Sequence, residues 1–442
     1  MTTEDTFIFK RYETDFTEGR LEFYYQIVRN NEAISFVEKV LIPPVDTISN
    51  IPPQLLTNVL HSLFLALGIS YWKLYCPSKI ELQSIALNKD QATFWNTVYE
   101  KGLGELFFKN AIDYRNLVQF PYQNVEQKSD FFPRKNRSLV GIGGGKDSIV
   151  SAELLKKHRK EFCSFVINSH PIRDEIIQTL ESSKILFERA LDPKVFMLED
   201  KDAYSGHNPV STQYAFFGLL AAVLYDFRYI VVSNEESANY GNVTYLGQEI
   251  NHQWSKSYEF EVLFRKYLLS FITSDITYFS LLRPLKEIKI VELFSLYSEY
   301  FTIFSSCNGN FRANNKTQAS KWCKKCAKCL FVFTLLSAFI KKAQLVAIFE
   351  GNMYQDAELL PICKELLGIE KFKPFECVGL PEEMQYALVL ASQKGEYSND
   401  FLMRYFNDEV KPKLNVSSLK SILSVGSLQS IPEEFRPLFA NV

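Results

Sequence analysis

Three runs near the start of the chain, Thr6–Arg11, Arg20–Val28 and Ile34–Ile42, are rich in Phe, Tyr, Ile and Val, with apolar and polar positions partly alternating and charged turns between them. Alternation puts one set of side chains on one face, so the runs predict β-strands. Pro52 and Pro53 then precede Leu55, Leu56, Val59, Leu60 and Leu63, a helical spacing opened by proline, which suits a helix start. Tyr71–Tyr75 and Lys79–Leu87 read as extended. Asp90 opens a second helix to about Leu103, with Phe94, Val98 and Leu103 as core positions. This α+β unit ends near Asn124, and the polar, basic stretch 125–137 reads as a linker. From residue 138 the pattern changes to strands alternating with helices, the mark of a parallel sheet. The predicted strands are Leu139–Ile142, Glu161–Asn168, Lys184–Arg189 and Tyr229–Ser233. Helical spacing lies at Ile149–Leu155, Asp174–Glu181 and Val210–Tyr225. The region beyond about 345 is mostly helical, with clear spacing at Leu359–Leu367 and Met384–Leu390.

The densest chemistry follows the first of these parallel strands. Gly143, Gly144 and Gly145 lead into Lys146, Asp147 and Ser148 at the start of a helix. A strand, a glycine turn and a helix start set backbone N–H groups and a positive dipole end against an anion. Glycines let the backbone approach a phosphate. The plainer alternative is a strand-to-helix turn that happens to be glycine-rich. The spacing is not that of a Walker A loop. It resembles the Ser-Gly-Gly-x-Asp-Ser loop of the PP-loop ATP pyrophosphatases, with Gly143 where that family usually has Ser. The resemblance implies that Gly144, Gly145 and Ser148 hold phosphates and Asp147 holds Mg²⁺, with Lys146 placed to pair with phosphate charge.

Composition narrows the picture. The 442 residues, 47% hydrophobic, suffice for two or three domains with substantial cores. A net charge of -2 argues against a broad nucleic-acid footprint. The acidic start lacks the layout of a signal peptide. The apolar runs Cys329–Ile340 and Ala215–Tyr225 fall short of the ~17–25 residues of a membrane span. No membrane partner and a cytoplasmic location are therefore expected. Eight cysteines in a reducing compartment favour metal binding over disulfides.

Ligands of open α/β sheets sit beyond the carboxyl ends of the strands, so the 143–148 loop, Asn168 and Ser233–Asn239 are expected to share one crevice. Asn168 and Ser233 are candidate nucleotide contacts there. The segment Asn251–Lys256 gathers an amide, an imidazole, an indole and a lysine, although Trp254 could serve packing alone. His207, in the turn Gly206–Pro209, is equally well a capping residue. Lys286 is a further phosphate or substrate candidate. Cys323, Cys326 and Cys329, with Cys307 upstream, offer the four thiolates of a tetrahedral zinc site, and Lys324, Lys325 and Lys328 would offset its charge. An iron–sulfur cluster is the alternative occupant. Cys76, Cys163, Cys363 and Cys377 stand alone and read as ordinary buried residues.

A PP-loop domain with a four-cysteine cluster is similar to the 7-deazaguanine synthases. A finer resemblance covers Gly141–Ser148, Ser233–Ala238, Asn251–Lys256, Tyr278–Leu285, Phe304–Asn308, Trp322 with Cys323, Cys326 and Cys329, and Lys373–Gly379. Together these resemble the MurL-type UDP-N-acetylmuramoyl-L-alanyl-L-glutamate epimerases from Tyr71 to near Ala387, with Ala327 departing from an expected Pro. The resemblance implies an α/β fold of the PP-loop (adenine nucleotide alpha hydrolase-like) class. It implies an N-terminal α+β domain at 1–130, an ATP-binding domain with the cysteine cluster at 131–345 and a helical region at 346–442. It also implies conversion of the terminal L-glutamate of a UDP-MurNAc dipeptide to D-glutamate, with ATP giving AMP and pyrophosphate. A carboxylate resists loss of its α-proton, and adenylation removes the opposing charge. A general base and an acid can then exchange the proton. Asp147 is assigned to activation, and Glu235, His252 and Lys256 to proton transfer. The competing expectations are a nucleobase- or tRNA-modifying PP-loop enzyme and a non-catalytic, zinc-stabilised nucleotide-binding module.

Overall fold

The computed structural model describes residues 5–45, 48–311, 320–370, 373–440 and 442; the acidic opening residues Met1 to Glu4 lie outside these. The chain starts with the meander β1 (Thr6–Asp15), β2 (Arg20–Arg29) and β3 (Glu32–Leu41). Along β2 the alternate residues Leu21, Phe23, Tyr25 and Ile27 are buried, as the sequence pattern requires. Asn30 and Asn31 both take positive φ between the paired residues Arg29 and Glu32, the two-residue turn that matches strand twist.

Helix α1 (Pro53–Trp72) follows, then β4 (Lys79–Leu82), α2 (Lys89–Gly102) and α3 (Gly104–Lys109). The expected extended run Tyr71–Tyr75 is instead the end of α1 and a turn. Packing overrides the strand preference of these aromatics. Tyr71 stacks on Tyr25 at 4.8 Å, and the Trp72 indole donates to the Pro77 carbonyl at 3.1 Å. The run expected at Lys79–Leu87 pairs with β1 only over Lys79–Leu82. Helix α1 is, by length and composition, apolar enough to cross a membrane. Asn58, Ser62 and Ser70 interrupt its apolar run. Its apolar surface is covered by β1, β2 and a later helix, and Leu55, Val59, Leu63 and Leu67 are fully buried.

The second half alternates. Its elements are β5 (Ser138–Gly141), α4 (Lys146–Lys157), β6 (Phe162–Ile167), α5 (Pro171–Leu180), β7 (Lys184–Ala190), α6 (Lys194–Glu199), α7 (Val210–Tyr225), β8 (Tyr229–Val232), the hairpin β9 (Val243–Tyr245) and β10 (Gln248–Ile250), α8 (Tyr258–Phe271), β11 (Thr277–Ser280) and α9 (Glu287–Phe294). Helices α10 (Ala327–Phe339), α11 (Lys342–Phe349), α12 (Leu360–Leu366) and α13 (Pro381–Gln393) begin a largely helical C-terminal region. The main sheet has nine strands in the order β11-β8-β5-β6-β7-β3-β2-β1-β4, parallel from β11 to β7. Strand β3 pairs antiparallel with β7, so the N-terminal meander extends the parallel sheet.

Successive residues of the central strands enter opposite cores. Leu139, Phe165, Ile230 and Tyr278 join one cluster with α1, α2, α7 and α8. Val140, Val166, Val231 and Phe279 join another with α4, α9, α10 and α13. Both faces are covered, which explains why the parallel strands read as continuous apolar runs. The last segment returns to this second face: Phe435 packs on the rings of Tyr229 and Phe279, each at 4.9 Å. From β5 the chain winds outward through β6 and β7, then continues on the other side of β5 with β8. The β5/β8 junction is therefore a switch point, and loops leaving the carboxyl ends of β5 and β8 border a crevice there.

Candidate active site

The loop after β5 carries the glycines. Gly144 has φ +99°, a conformation that side chains with Cβ seldom adopt. A Cβ on Gly145 would lie 2.9 Å from Ser306 Oγ, so the segment Phe304–Asn308 packs directly on the loop. Ser305 N–H donates to Gly144 O at 3.0 Å. Above Gly143 a Cβ would meet nothing within 4 Å. Ser306 Oγ is buried without a hydrogen-bond partner. An open cradle at Gly143, an orphaned hydroxyl and a following helix start fit an anionic ligand. Arg173 of α5 reaches the same loop, with Nε 3.3 Å from Gly143 O and Nη1 2.8 Å from Asn168 O.

Beneath the loop lies a buried charge cluster. Lys146 and Lys328 both donate to Glu287 Oε1, at 2.8 and 2.7 Å, and Lys146 also pairs with Asp147 at 2.5 Å. Burial opposes the charge of Glu287, but the two ammonium groups hold its carboxyl down at about 2. Its other oxygen is buried and unpartnered. Glu235 is also buried, and burial, then the charges of Glu287 and Asp147, raise its pKa.

The loops after β8 and β10 are held together by Arg283, whose guanidinium donates to Glu235 O at 2.7 Å and Lys256 O at 2.6 Å. Asn251 Nδ2 donates to Ala238 O at 2.9 Å. Glu105 of α3 accepts from the Nδ1 of His252 and lies 3.2 Å from Nδ1 of His207. The other nitrogen of His252 faces Cys377 Sγ at 3.8 Å, and Lys256 Nζ stands 3.1 Å from the same sulfur. Burial opposes each charge here, and the partners prevail. Hydrogen bonds to Cys377 and Glu105 bring His252 up to about 9. His252, His207 and Lys109 hold Glu105 at about 2. The Lys256 charge and His252 bring Cys377 down to about 5. His207, penalised by burial and by the neighbouring His252, falls to about 3. The segment 304–308 links both clusters, since Asn308 Nδ2 donates to Glu376 Oε2 at 2.8 Å beside Cys377. A cleft of about 600 Å³, lined in part by Tyr114, Asn239, Asn251 and Tyr258, adjoins these loops.

Cys307, Cys323, Cys326 and Cys329 bring their four sulfurs within 4.8 Å of one another, and this group could hold a metal ion. Cys323 and Cys329 are 3.6 Å apart. Tetrahedral ligation of one ion at ~2.3 Å puts sulfurs about 3.8 Å apart. Four thiolates this close need a cation between them.

Gly143 to Ser148, Glu235, His252 and Lys256 lie on connected loops around the switch point. Two candidate side chains turn elsewhere. Asn168 Oδ1 accepts from Arg189 N–H at 2.6 Å, and Ser233 Oγ donates to Ser151 on α4 at 2.7 Å. Lys286 pairs with Glu236. Trp254 is buried against Phe260 at 5.4 Å, with its indole N–H on Glu259. Sequence reasoning missed Glu105, Glu287 and the setting of Cys377. A buried lysine after a glycine loop calls for a carboxylate, which could have pointed to Glu287 next to Lys286; Glu105 carried no local signal.

Residues 1–281 match the MurL N-terminal domain and residues 303–421 the MurL C-terminal domain. The chain is 31% identical over 440 residues to the UDP-N-acetyl-alpha-D-muramoyl-L-alanyl-L-glutamate epimerase of a Micromonospora species, covering 99% of this chain and 98% of that protein. It is 32% identical over 434 residues to the protein of the same name from Xanthomonas oryzae pv. oryzae, covering 98% and 94%. The Salinispora tropica protein of that name is 33% identical over 393 residues, covering 88% and 85%.

Proposed function

The chain belongs to the MurL family, and from that premise we propose that it inverts the terminal L-glutamate of UDP-MurNAc-L-Ala-L-Glu in an ATP-dependent reaction of peptidoglycan precursor synthesis. The observation that carries the proposal is the junction of two sites. The segment 304–308 touches both the open glycine loop and the loop that bears Glu376 and Cys377. One substrate can thus meet a triphosphate and a set of proton carriers.

Activation belongs to the loop. The backbone of Gly143, Gly144 and Gly145, with Lys146 and Ser148, holds the phosphates, in the manner of PP-loop enzymes. Asp147 would hold Mg²⁺, which offsets phosphate charge when bound. Asn168 and Ser233 shape the walls of the crevice through the backbone. The substrate α-carboxylate oxygen attacks the α-phosphorus of ATP, and pyrophosphate leaves. The neutral acyl carbonyl of the resulting acyl-adenylate lowers the cost of removing the α-proton. Proton exchange takes place among Glu235, His252 and Lys256 and their partners. Water then attacks the acyl carbon, giving D-glutamate and AMP. The four cysteines would hold a structural Zn²⁺, which ties the 304–308 segment to α10. Nucleotide-linked substrates and free thiols both suit the cytoplasm.

The test is incubation with ATP, Mg²⁺ and UDP-MurNAc-L-Ala-L-Glu, followed by pyrophosphate assay and chiral analysis of the glutamate. D-glutamate with pyrophosphate is expected, and Asp147→Asn should abolish both. Turnover of a deazapurine acid or RNA instead would overturn the assignment, as would ATP binding without any product.

A further inference from the structure

Inversion needs a group that arrives at Cα without a proton. Two of the groups so far assigned to proton transfer arrive with one. His252 and Lys256 are held as cations by their anionic partners, and burial, then the charges of Glu287 and Asp147, push the Glu235 carboxyl toward its neutral form. His252 is further committed on its Nδ1 side to Glu105.

The sulfur between the two cations is different. Cys377 Sγ lies 3.1 Å from Lys256 Nζ and 3.8 Å from His252 Nε2, in a row that continues from His252 to Glu105. A carboxylate that orients an imidazole, which in turn faces a sulfur, is the arrangement that stabilises a thiolate. The sulfur is placed from both sides. Gln253 Nε2 donates to Val378 O at 3.2 Å, and Asn308 donates to Glu376. Gln253 Oε1 remains buried and without a partner beside this segment, a group still able to take a ligand hydrogen bond. Cys377 is half-buried, so a substrate can reach it.

We propose that Cys377 is the base that removes the α-proton of the activated glutamyl residue, with Lys256 and the Glu105–His252 pair as positioning residues that keep its sulfur anionic. This rests on the activation of the α-carboxylate proposed above. The Sγ lone pair takes the α-proton and forms S–H. The C–H electron pair passes into the acyl carbonyl as an enolate. When the enolate collapses, Cα takes a proton from a donor on the opposite face. Before the next turnover the thiol returns its proton to solvent and the opposite-face donor takes one from solvent, so none is gained or lost. In D₂O the D-glutamate formed therefore carries deuterium at Cα. The charged and titratable groups that face Cys377 are Lys256, His252, Lys328, Lys373 and Glu376. The cations outweigh the carboxyl.

Two readouts on the full-length, metal-loaded protein separate this step from activation. ATP–pyrophosphate exchange reports acyl-adenylate formation, and deuterium at Cα reports proton transfer. For Cys377→Ala and Cys377→Ser, exchange should persist while D-glutamate and deuterium incorporation fall about 10²–10⁴-fold. D-glutamate and deuterium at the wild-type rate in Cys377→Ala would overturn the proposal. Wild-type protein that makes deuterated D-glutamate without exchange would instead refute the activation step; loss of that deuterium in Cys377→Ala would still support the thiolate. A second measurement leaves Cys377 in place. Iodoacetamide labelling of the Cys377 peptide, followed by mass spectrometry, should be half-maximal near pH 5. In Lys256→Met and His252→Gln the midpoint should move up toward the ~8.5 of an ordinary thiol. A wild-type midpoint near 8.5 would overturn the proposal.

Discussion

Glu287→Gln tests the buried charge cluster under the glycine loop. Two ammonium groups, Lys146 with no exposed side-chain surface and Lys328 with 7%, converge on one oxygen of the Glu287 carboxylate, a side chain only 1% exposed. The amide keeps the shape and removes the charge. Asp147 still pairs with Lys146, so Lys328 is the buried charge that loses its hydrogen-bonded carboxylate partner. Removing one partner of a buried ion pair costs about 3–5 kcal/mol. Loss of an acidic residue in the first turn of α9 adds about 0.3–1 kcal/mol. The expected loss of unfolding free energy is thus about 3–6 kcal/mol, read from urea titrations followed by far-UV circular dichroism with unchanged m-value. The freed lysines should welcome a polyphosphate. Saturating ATP, about 2.7 kcal/mol at a hundred times Kd, should therefore stabilise the variant at least as much as the wild type. A loss below about 1 kcal/mol, the range of surface pairs, would refute the claim that these charges are desolvated and mutually dependent.

Other consequences are open to simple assays. Gly145→Ala places a methyl group 2.9 Å from Ser306 Oγ and should weaken ATP binding by calorimetry more than about tenfold, or 1.4 kcal/mol, with metal content unchanged; unaltered affinity would mean that the loop does not hold phosphates. Cys326→Ser should lose one equivalent of bound metal by elemental analysis and lower the melting temperature; full metal content would exclude the four-cysteine site. Stability should respond to pH at both ends. Glu105 and Glu287, both held at about 2, contribute stability that is present above the unfolded value of about 4.3 and lost as pH falls toward 2. His252, raised to about 9, contributes stability that is full below about 6.5 and lost as pH rises through 9. His252→Gln should therefore flatten the alkaline limb of a melting-temperature profile, and an unchanged limb would remove His252 from the account.

Features with a local cause were legible in the sequence. The period-two pattern of Arg20–Val28, the glycine turn at 143–145 and the cysteine spacing each reflect interactions between near neighbours. The end of α1 at Tyr71 and Trp72 has no local signal, because Tyr71 is fixed by stacking with Tyr25, which lies on another element. The pairing of β3 with β7 joins residues near 40 to residues near 190, and no local signal reports it. The candidate site follows the same division. Its loops could be placed at strand ends, but Glu105, His252 and Cys377 come from α3, the loop after β10 and the segment before α13. Cys377 looked like an ordinary cysteine because its character comes from Lys256 and His252, which chain distance hides. Asn168 and Ser233 were rightly placed at strand ends, but a sequence does not disclose that their side chains bond to Arg189 and Ser151.

The central claim is that the glutamate α-carboxylate is activated by adenylation before its proton is exchanged. It is tested most directly by supplying UDP-MurNAc-L-Ala-L-Glu with ¹⁸O in the glutamate α-carboxylate, together with ATP and Mg²⁺, and weighing the AMP by mass spectrometry. Attack of the carboxylate oxygen on phosphorus, followed by hydrolysis at the acyl carbon, leaves one labelled oxygen in each AMP formed with D-glutamate. D-glutamate accompanied by unlabelled AMP, or formed with no ATP present, would contradict the account.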